Sequence, residues 1–295
     1  MSKTVVALGF FDGVHRAHAE LLSHACRMAE RMGAEPVAIT FDRHPAALFS
    51  EGPGLLTSVE ERIRLIRSLG VGRTEVLTFD RRMADTEPER FLEDTLARTL
   101  RAAGVVAGEN FTFGREGRGD ASLLARECAR LGLDFDLVPT LTDGGEPISS
   151  TRIRRVLTAG DLPEAERLLG HPFSVSGEVI HGRELGRTLG FPTANLIPAE
   201  GLCLPPEGVY AARVFLPDGT RHAAVADLGH RPTLGDASGF RLEAHLLDHD
   251  EDLYGRSIRV ELLDRLRPEV RCKDLRELAD LIARDVAAVR AMHIS

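Results

Sequence analysis

Along the first 170 residues, two patterns of apolar positions alternate. Short unbroken apolar runs at residues 4–9, 36–41, 76–79, 105–107 and 135–138 predict buried strands. Between them the apolar positions fall at helical spacing. Leu21, Leu22, Ala25, Met28, Ala29 and Met32 form the first such stripe, and Ile63, Leu65, Ile66 and Leu69 the second. Phe91, Leu92, Leu96 and Leu100 follow, then Leu123, Leu124, Cys128 and Leu131. Local signals bound these helices. Thr57/Glu60 and Ser58/Glu61 are overlapping capping boxes, Gly70 is a stop, Thr86–Glu89 opens a helix through Pro88, and Asp120 is a cap. Strand and helix alternate at intervals of roughly 30 residues, which predicts a doubly wound parallel sheet covered on both faces.

After about residue 170 the pattern changes. Ser174–His181, Tyr210–Phe215, His222–Ala226, Phe240–Leu247 and Ser257–Leu263 read as strands separated by turns at 205–208, 217–219 and 235–239. Short strands with such turns predict a small antiparallel barrel. A last helix, about Leu275 to Met292, carries Leu275, Leu278, Leu281, Ile282, Val286 and Val289 as its apolar stripe. The expected fold is α/β: an N-terminal doubly wound parallel-sheet domain (1–170), then a small antiparallel β-barrel domain with a C-terminal helix (171–295). The boundary is expected near Leu169–Phe173.

A net charge of −8 argues against a general nucleic-acid or anionic-membrane binder. Cys26, Cys128, Cys203 and Cys272 are far apart with no C-x-x-C pair, the pattern of reduced thiols. The first residues run straight into a strand pattern without a signal-peptide h-region, and no apolar run reaches the length of a membrane span. A cytoplasmic location is expected.

Candidate chemistry gathers in two places. Phe11, Asp12 and Gly13 lead into His15 and His18, three apart at the start of the first helix and so on one face. A helix N-terminus seats phosphate, and paired imidazoles there can donate to charge building on an α-phosphate. Asp12 can equally be an N-cap and the histidines ordinary first-turn residues. Ser149, Ser150 and Thr151 precede Arg152 and Arg154, which can clamp a triphosphate or be a capped helix with surface arginines. The second place is Gly190-Phe191-Pro192-Thr193-Ala194-Asn195, where a hydroxyl and an amide two residues apart point the same way on extended chain. Such neutral oxygens suit Mg²⁺ carrying nucleotide phosphates; a strand-start turn with an Asn cap is the alternative.

These motifs resemble those of the bacterial bifunctional riboflavin kinase/FAD synthetase family over essentially the whole chain. Phe11–His15, Thr40-Phe41 with His44-Pro45, Phe111 with Phe113-Gly114, and Ile148–Arg154 match its adenylyltransferase half in order. That half belongs to the nucleotidylyltransferase superfamily. Gly177–Gly182, Gly186–Leu196, Gly208–Ala211, Gly229–Thr233, Leu242–Asp248, Asp252–Gly255 and Leu266–Glu269 match its kinase half. The resemblance implies ATP as co-substrate, Mg²⁺, and riboflavin, FMN and FAD as substrate and products. It implies that Thr193 and Asn195 hold the metal and phosphates, and that Glu243 accepts the riboflavin hydroxyl proton. Gly182, Gly186, Arg187, Gly190, Phe191 and Pro192 are implied around the phosphates. His44, Pro45, Phe111 and Phe113 are implied around the flavin.

Four departures from the family pattern stand out. The H-x-G-H signature is here His15-Arg16-Ala17-His18, and D-F-R-F-G is Asn110-Phe111-Thr112-Phe113-Gly114. F-x-P-H-P has Arg43 in place of its first proline, and the V-A-N-I-G stretch carries Asp227. The expected function is two-step FAD synthesis from riboflavin. The alternative is a riboflavin kinase whose first domain only binds flavin or nucleotide.

Overall fold

The computed structural model describes residues 3–50, 52–182, 185–230 and 239–294, the side chains of Leu185 and Arg187 excepted. The chain divides into two compact units, Met1–Arg152 and Ile153–Ser295.

In the first unit the strands are β1 (Thr4–Leu8), β2 (Glu35–Phe41), β3 (Arg73–Leu77), β4 (Ala102–Gly108) and β5 (Asp134–Val138). They form one parallel sheet in the order β3-β2-β1-β4-β5. All five β1 residues are buried, because successive side chains go to opposite helical layers. Val5 and Ala7 join the layer of α1 (Arg16–Met32) and α2 (Val59–Ser68), with Leu22, Ala25 and Ile66. Val6 and Leu8 join the layer of α3 (Pro88–Phe91 and Leu92–Thr99) and α4 (Ala121–Leu131), with Leu92, Leu96 and Leu124. Helix α3 begins as an α-turn at Pro88–Phe91 and widens to π geometry over Leu92–Thr99.

The predicted caps form with one refinement. Asp120 accepts from Leu123 N, and Ser58 accepts from Glu61 N. The Thr57 hydroxyl, the rival cap, turns instead to Gly13. The strand order reverses between β1 and β4, so the loops leaving these two strands flank the crevice in which such sheets hold ligands.

Two helices open the second unit. Helix α5 (Ser150–Thr158) straddles the division; α6 (Leu162–Leu169) packs on β6 (Phe173–Glu178) and β11 (Ser257–Arg267). That packing joins Leu162–Leu169 to the barrel, and the division after Arg152 falls upstream of the Leu169–Phe173 change of pattern. The other strands are β7 (Ala194–Leu196), β8 (Gly208–Phe215), β9 (Arg221–His230) and β10 (Phe240–Leu246). They run antiparallel in the order β6-β11-β8-β9-β10-β7. A bridge between Ile180 and Asn195 draws the two edges together, so the sheet is a nearly closed barrel. Tyr210, Ala212, Ala224, Ala226, Leu228, Leu242 and Ala244 alternate inward and are fully buried. Val209, Ala211 and Val225 face outward and are covered by Val289 of the last helix, α7 (Leu275–Ala291). The expected turn at 235–238 and the matched residues Arg231–Thr233 lie outside the described residues.

Candidate functional site

The first site is the loop between β1 and α1, and its backbone is strained. Phe11 and Val14 hold φ of 56° and 39° beside Gly13 at 80°. Non-glycine residues, a β-branched one above all, keep such angles only where the surroundings over-determine them. Asp12 provides that constraint. Its carboxylate, 1% exposed, accepts from Leu56 N at 2.8 Å and Thr57 N at 3.2 Å. The Gly13 amide donates to Thr57 Oγ1 at 3.1 Å, and Ser150 Oγ donates to the Asp12 carbonyl at 2.9 Å. Asp12 and Gly13, expected beside the phosphates, thus brace the loop. The Phe11 ring is fully buried and packs edge-on against His18.

The helix cap is His15, not Asp12. His15 Nδ1 accepts from His18 N at 3.4 Å, so the neutral ring carries its proton on Nε2. The two imidazoles lie face to face with centroids 3.6 Å apart. His18 Nδ1 is buried and has no hydrogen-bond partner among the described residues. Burial first, then the neighbouring His15 and the Arg62 cation, hold the His18 pKa well below the usual histidine value.

Arg62 was not singled out by the sequence, where it reads as a surface charge on α2. Among the described residues it is the largest fully buried side chain. Its guanidinium donates to Thr40 Oγ1 and the Phe41 carbonyl, both at 2.9 Å, and lies over the Phe10 ring at 4.4 Å. Burial lowers its pKa, and Asp12 and Glu60 oppose that. Arg62 thus ties the end of β2 to the loop after β1.

Of the hydroxyl–arginine segment, Ser149 Oγ caps Arg152 N and Thr151 is exposed. Arg152 is corrected: its guanidinium donates to the carbonyls of Asp143 (2.9 Å) and Glu146 (3.1 Å) and pairs with the Glu146 carboxylate, bracing the hairpin at 142–147. Arg16 pairs with Asp143 at 2.9 Å. Arg154 lies in the second unit on the continuation of α5.

Pro45, Phe111 and Phe113 line an aromatic cavity of about 460 Å³ with Phe41, Phe49 and Phe79. His44 instead caps the turn after it, through Ala46 N, and packs edge-on against Phe10.

In the barrel, cross-strand register sets the second site. Asp227 of β9 lies opposite Glu243 of β10, and Glu243 lies opposite Asn195 of β7. Directly opposed residues project to the same face about 5 Å apart, so the three form one row. Asp227 borders a cavity of about 470 Å³ with Val209, Arg267, Leu278 and Leu281. Asn195 and Thr193 border another, of about 330 Å³, with Val179, Leu253, His249 and Tyr254. Glu243 stands on the strand between the residues that border the two.

Asn195 is 6% exposed, and its Nδ2 reaches the Thr193 hydroxyl and carbonyl, both at 3.4 Å. The implied phosphate glycines have a nearer purpose. A Cβ on Gly182 would meet all three outer atoms of the Asn195 amide at 2.5–2.6 Å, and one on Gly186 would strike the Phe191 carbonyl oxygen. Gly190 is a φ +85° turn with open space around it. Gly182 and Gly186 thus act as spacers that let the loop close on itself. The Pro192 carbonyl lies 2.8 Å from His245 Nδ1, which must carry the proton there, and Phe191 packs edge-on against His245. The side chain of Arg187 lies outside the described residues. Tyr254, from the matched stretch Asp252–Gly255, stacks on His181 at 3.8 Å, and His249 is a cavity residue that the sequence did not single out.

Fold and sites together define a two-module transferase, a nucleotidylyltransferase-type sheet followed by a barrel built around a carboxylate and a threonine–asparagine corner. Residues 1–152 match the FAD synthetase family model and residues 169–293 the riboflavin kinase model. The chain belongs to the bifunctional riboflavin kinase/FAD synthetase family. It is 40% identical to the bifunctional riboflavin kinase/FMN adenylyltransferase of Escherichia coli K12, over 97% of this chain and 91% of that protein. It is 33% identical to the Bacillus subtilis protein of the same name, over 96% and 90%. A crystal structure described as a macrolide-efflux protein from Streptococcus pneumoniae superposes with a TM-score of 0.86 at 31% identity, covering all of this chain and 95% of the other. No helix among the described residues is long and apolar enough to cross a membrane.

Proposed function

We infer that this chain makes FAD from riboflavin in two steps, one in each unit. Relatives that carry both activities and match both halves support this over the kinase-only alternative. The observation that carries the kinase assignment is the row Asp227–Glu243–Asn195, which sets one carboxylate between two cavities. Riboflavin occupies the Val209/Leu278/Leu281 side and ATP the Thr193/Asn195 side. Glu243 takes the proton of the flavin 5′-hydroxyl as its oxygen attacks the γ-phosphorus and ADP departs. Asn195 Oδ1 and the Thr193 hydroxyl are neutral oxygens, a donor set that fits Mg²⁺ arriving with nucleotide phosphates. A cation bound there neutralises charge on the phosphates.

In the first unit an FMN phosphate oxygen attacks the α-phosphorus of ATP and pyrophosphate leaves. His15 and His18 hydrogen-bond the charge that builds on the α-phosphate, and the aromatic cavity at Phe111 and Phe113 takes the flavin rings. The substrates are small molecules and the place of action is the cytoplasm. Glu243→Ala abolishes FMN formation and leaves conversion of supplied FMN to FAD. His15→Ala with His18→Ala does the reverse. Chromatography of the flavins over time reads both, and a folded variant that lost both activities would refute the division of labour.

A further inference from the structure

Glu243 and the threonine–asparagine corner come to the kinase site from distant parts of the chain, and two different contacts set the distance between them. For Asn195 the contact is the ladder, since its strand pairs with β10 and places it opposite Glu243. Thr193 lies one residue outside that strand, which begins at Ala194. Pro192, just before it, has no N–H with which to extend the ladder. The register Glu243↔Asn195 and Ala244↔Ala194, carried one step further, aligns His245 with Thr193. There a side chain takes over from the backbone. His245 Nδ1 donates to the Pro192 carbonyl at 2.8 Å, and its ring meets Phe191 edge-on with centroids 5.4 Å apart. Pro192 and Thr193 both border the cavity of about 330 Å³ assigned to ATP.

Glu243 and His245 are two apart on one strand and so point to the same face. One rigid segment therefore carries both the proposed base and the group that holds the peptide entering Thr193. Within the loop itself, Phe191 N donates to the Gly186 carbonyl at 2.8 Å, which fixes the peptide before Phe191 and not the one after Pro192.

We propose that His245 is a positioning residue of the kinase site: by holding the Pro192–Thr193 peptide from the strand that carries Glu243, it sets the separation between the base and the hydroxyl that meets the ATP phosphates. This rests on reading the barrel as the riboflavin kinase. Without the bond the corner shifts, and a displacement of about 1 Å in a positioning group slows reaction on the order of 10²-fold. The ATP side feels that shift. The riboflavin side, formed by Val209, Leu278 and Leu281, does not.

The test compares two variants of the full chain. His245→Phe keeps a ring against Phe191 and loses the donor. His245→Asn loses the ring and keeps a side-chain N–H at nearly the same place. With riboflavin, γ-labelled ATP and Mg²⁺, labelled flavin counts kinase turnovers alone, because the label stays on the flavin whether or not FMN goes on to FAD. His245→Phe is expected to lower kcat by roughly ten- to a hundredfold and to move the riboflavin KM by less than about twofold. His245→Asn is expected to return to within roughly threefold of wild type. Calorimetry with ADP and Mg²⁺, which needs no turnover, should show weaker binding to His245→Phe and recovery in His245→Asn. Nitrogen spectra of histidine-labelled wild type should contain a ring protonated at Nδ1 that is missing from both variants. A His245→Phe kcat within about threefold of wild type overturns the proposal, as does a folded His245→Asn no better than His245→Phe, or a rise in the riboflavin KM equal to the fall in kcat. Should His245→Phe fail to fold, the spectrum decides, since a ring at 245 without a proton on Nδ1 overturns the proposal by itself. Wild-type protein that forms no labelled flavin overturns the kinase reading and the proposal with it; labelled flavin formed equally well by His245→Phe overturns the proposal alone.

Discussion

Gly182→Ala isolates Asn195, the asparagine at the centre of the proposed kinase site. No positive φ holds a glycine at this position, so alanine costs the backbone little. The new methyl meets Asn195 Oδ1 at 2.5 Å and Cγ and Nδ2 at 2.6 Å. The amide must retreat about 0.9 Å to reach the 3.4 Å at which ordinary contact begins. Asn195 has little room to do so, being 6% exposed on a strand paired with β10. Its two hydrogen bonds are at the long limit, so together they contribute about 1 kcal/mol, and overpacking adds about 1–3 kcal/mol. The barrel is expected to stay folded, with its thermal transition lowered by several degrees. The chemical cost is larger, because a shift of about 1 Å in a positioning group slows reaction on the order of 10²-fold. Labelled flavin formed from riboflavin and γ-labelled ATP measures the loss, and FMN-to-FAD conversion serves as the internal control. Kinase turnover within about threefold of wild type, well short of that factor, would refute the placement of Asn195 Oδ1 at the phosphates. An equal loss of both activities would show a general defect instead.

Arg62→Met should lower FAD formation at least about tenfold and destabilise the first unit by about 3–5 kcal/mol, because the Thr40 and Phe41 acceptors and the neighbouring Asp12 lose a buried cation. Calorimetry and FMN-to-FAD rates read both effects, and riboflavin phosphorylation should not change. The depressed His18 pKa sets an acid limit. The unfolded chain takes up this proton near pH 6.5, whereas the folded chain resists it to lower pH. The His18 contribution to stability is therefore complete above about pH 6.5 and is lost as pH falls from there through the folded pKa. Denaturant melts of wild type and His18→Gln from neutral to mildly acidic pH check this, and the variant should show the shallower slope.

The parallel sheet was legible because β1 and its neighbours are buried on both faces and leave continuous apolar runs in the chain. The pairing of His15 with His18 was legible because a spacing of three fixes one face of a helix. The three-residue strand Ala194–Leu196 was not, since it is too short to show alternation and follows Pro192. Helix α6 left a signal that the reading did not use: Asp161 as cap, Pro163 in the first turn and Gly170 as stop. Arg62 gave none, because a charge on an amphipathic helix looks the same whether it meets water or a buried carbonyl. Asp12 shows the converse error. A carboxylate in a phosphate-like loop suggests a ligand contact, and only the fold brings Leu56 and Thr57 to it.

Both signatures consist mainly of residues that serve each other. Asp12, Gly13, Thr57 and Ser150 hold a strained loop, and Gly182 and Gly186 make room for Asn195 and the Phe191 carbonyl. The groups proposed to meet substrate are few: the stacked imidazoles in one unit, Glu243 and the Thr193–Asn195 corner in the other. A departure from the family pattern must therefore be weighed by what its neighbours lose. Asn110 loses nothing of that kind, since its amide donates to Thr140 Oγ1 at 3.0 Å and joins the end of β4 to the segment after β5. Thr112 packs beside Gly117 at the aromatic cavity, where a hydroxyl is no obstacle to a flavin. Arg16, inside the histidine signature, is taken up by Asp143. Asn110 and Thr112 are thus accommodated within the first unit, while Arg16 fills the variable place of the histidine signature and is no departure from it. Asp227 differs in kind, because it places a carboxylate directly opposite Glu243.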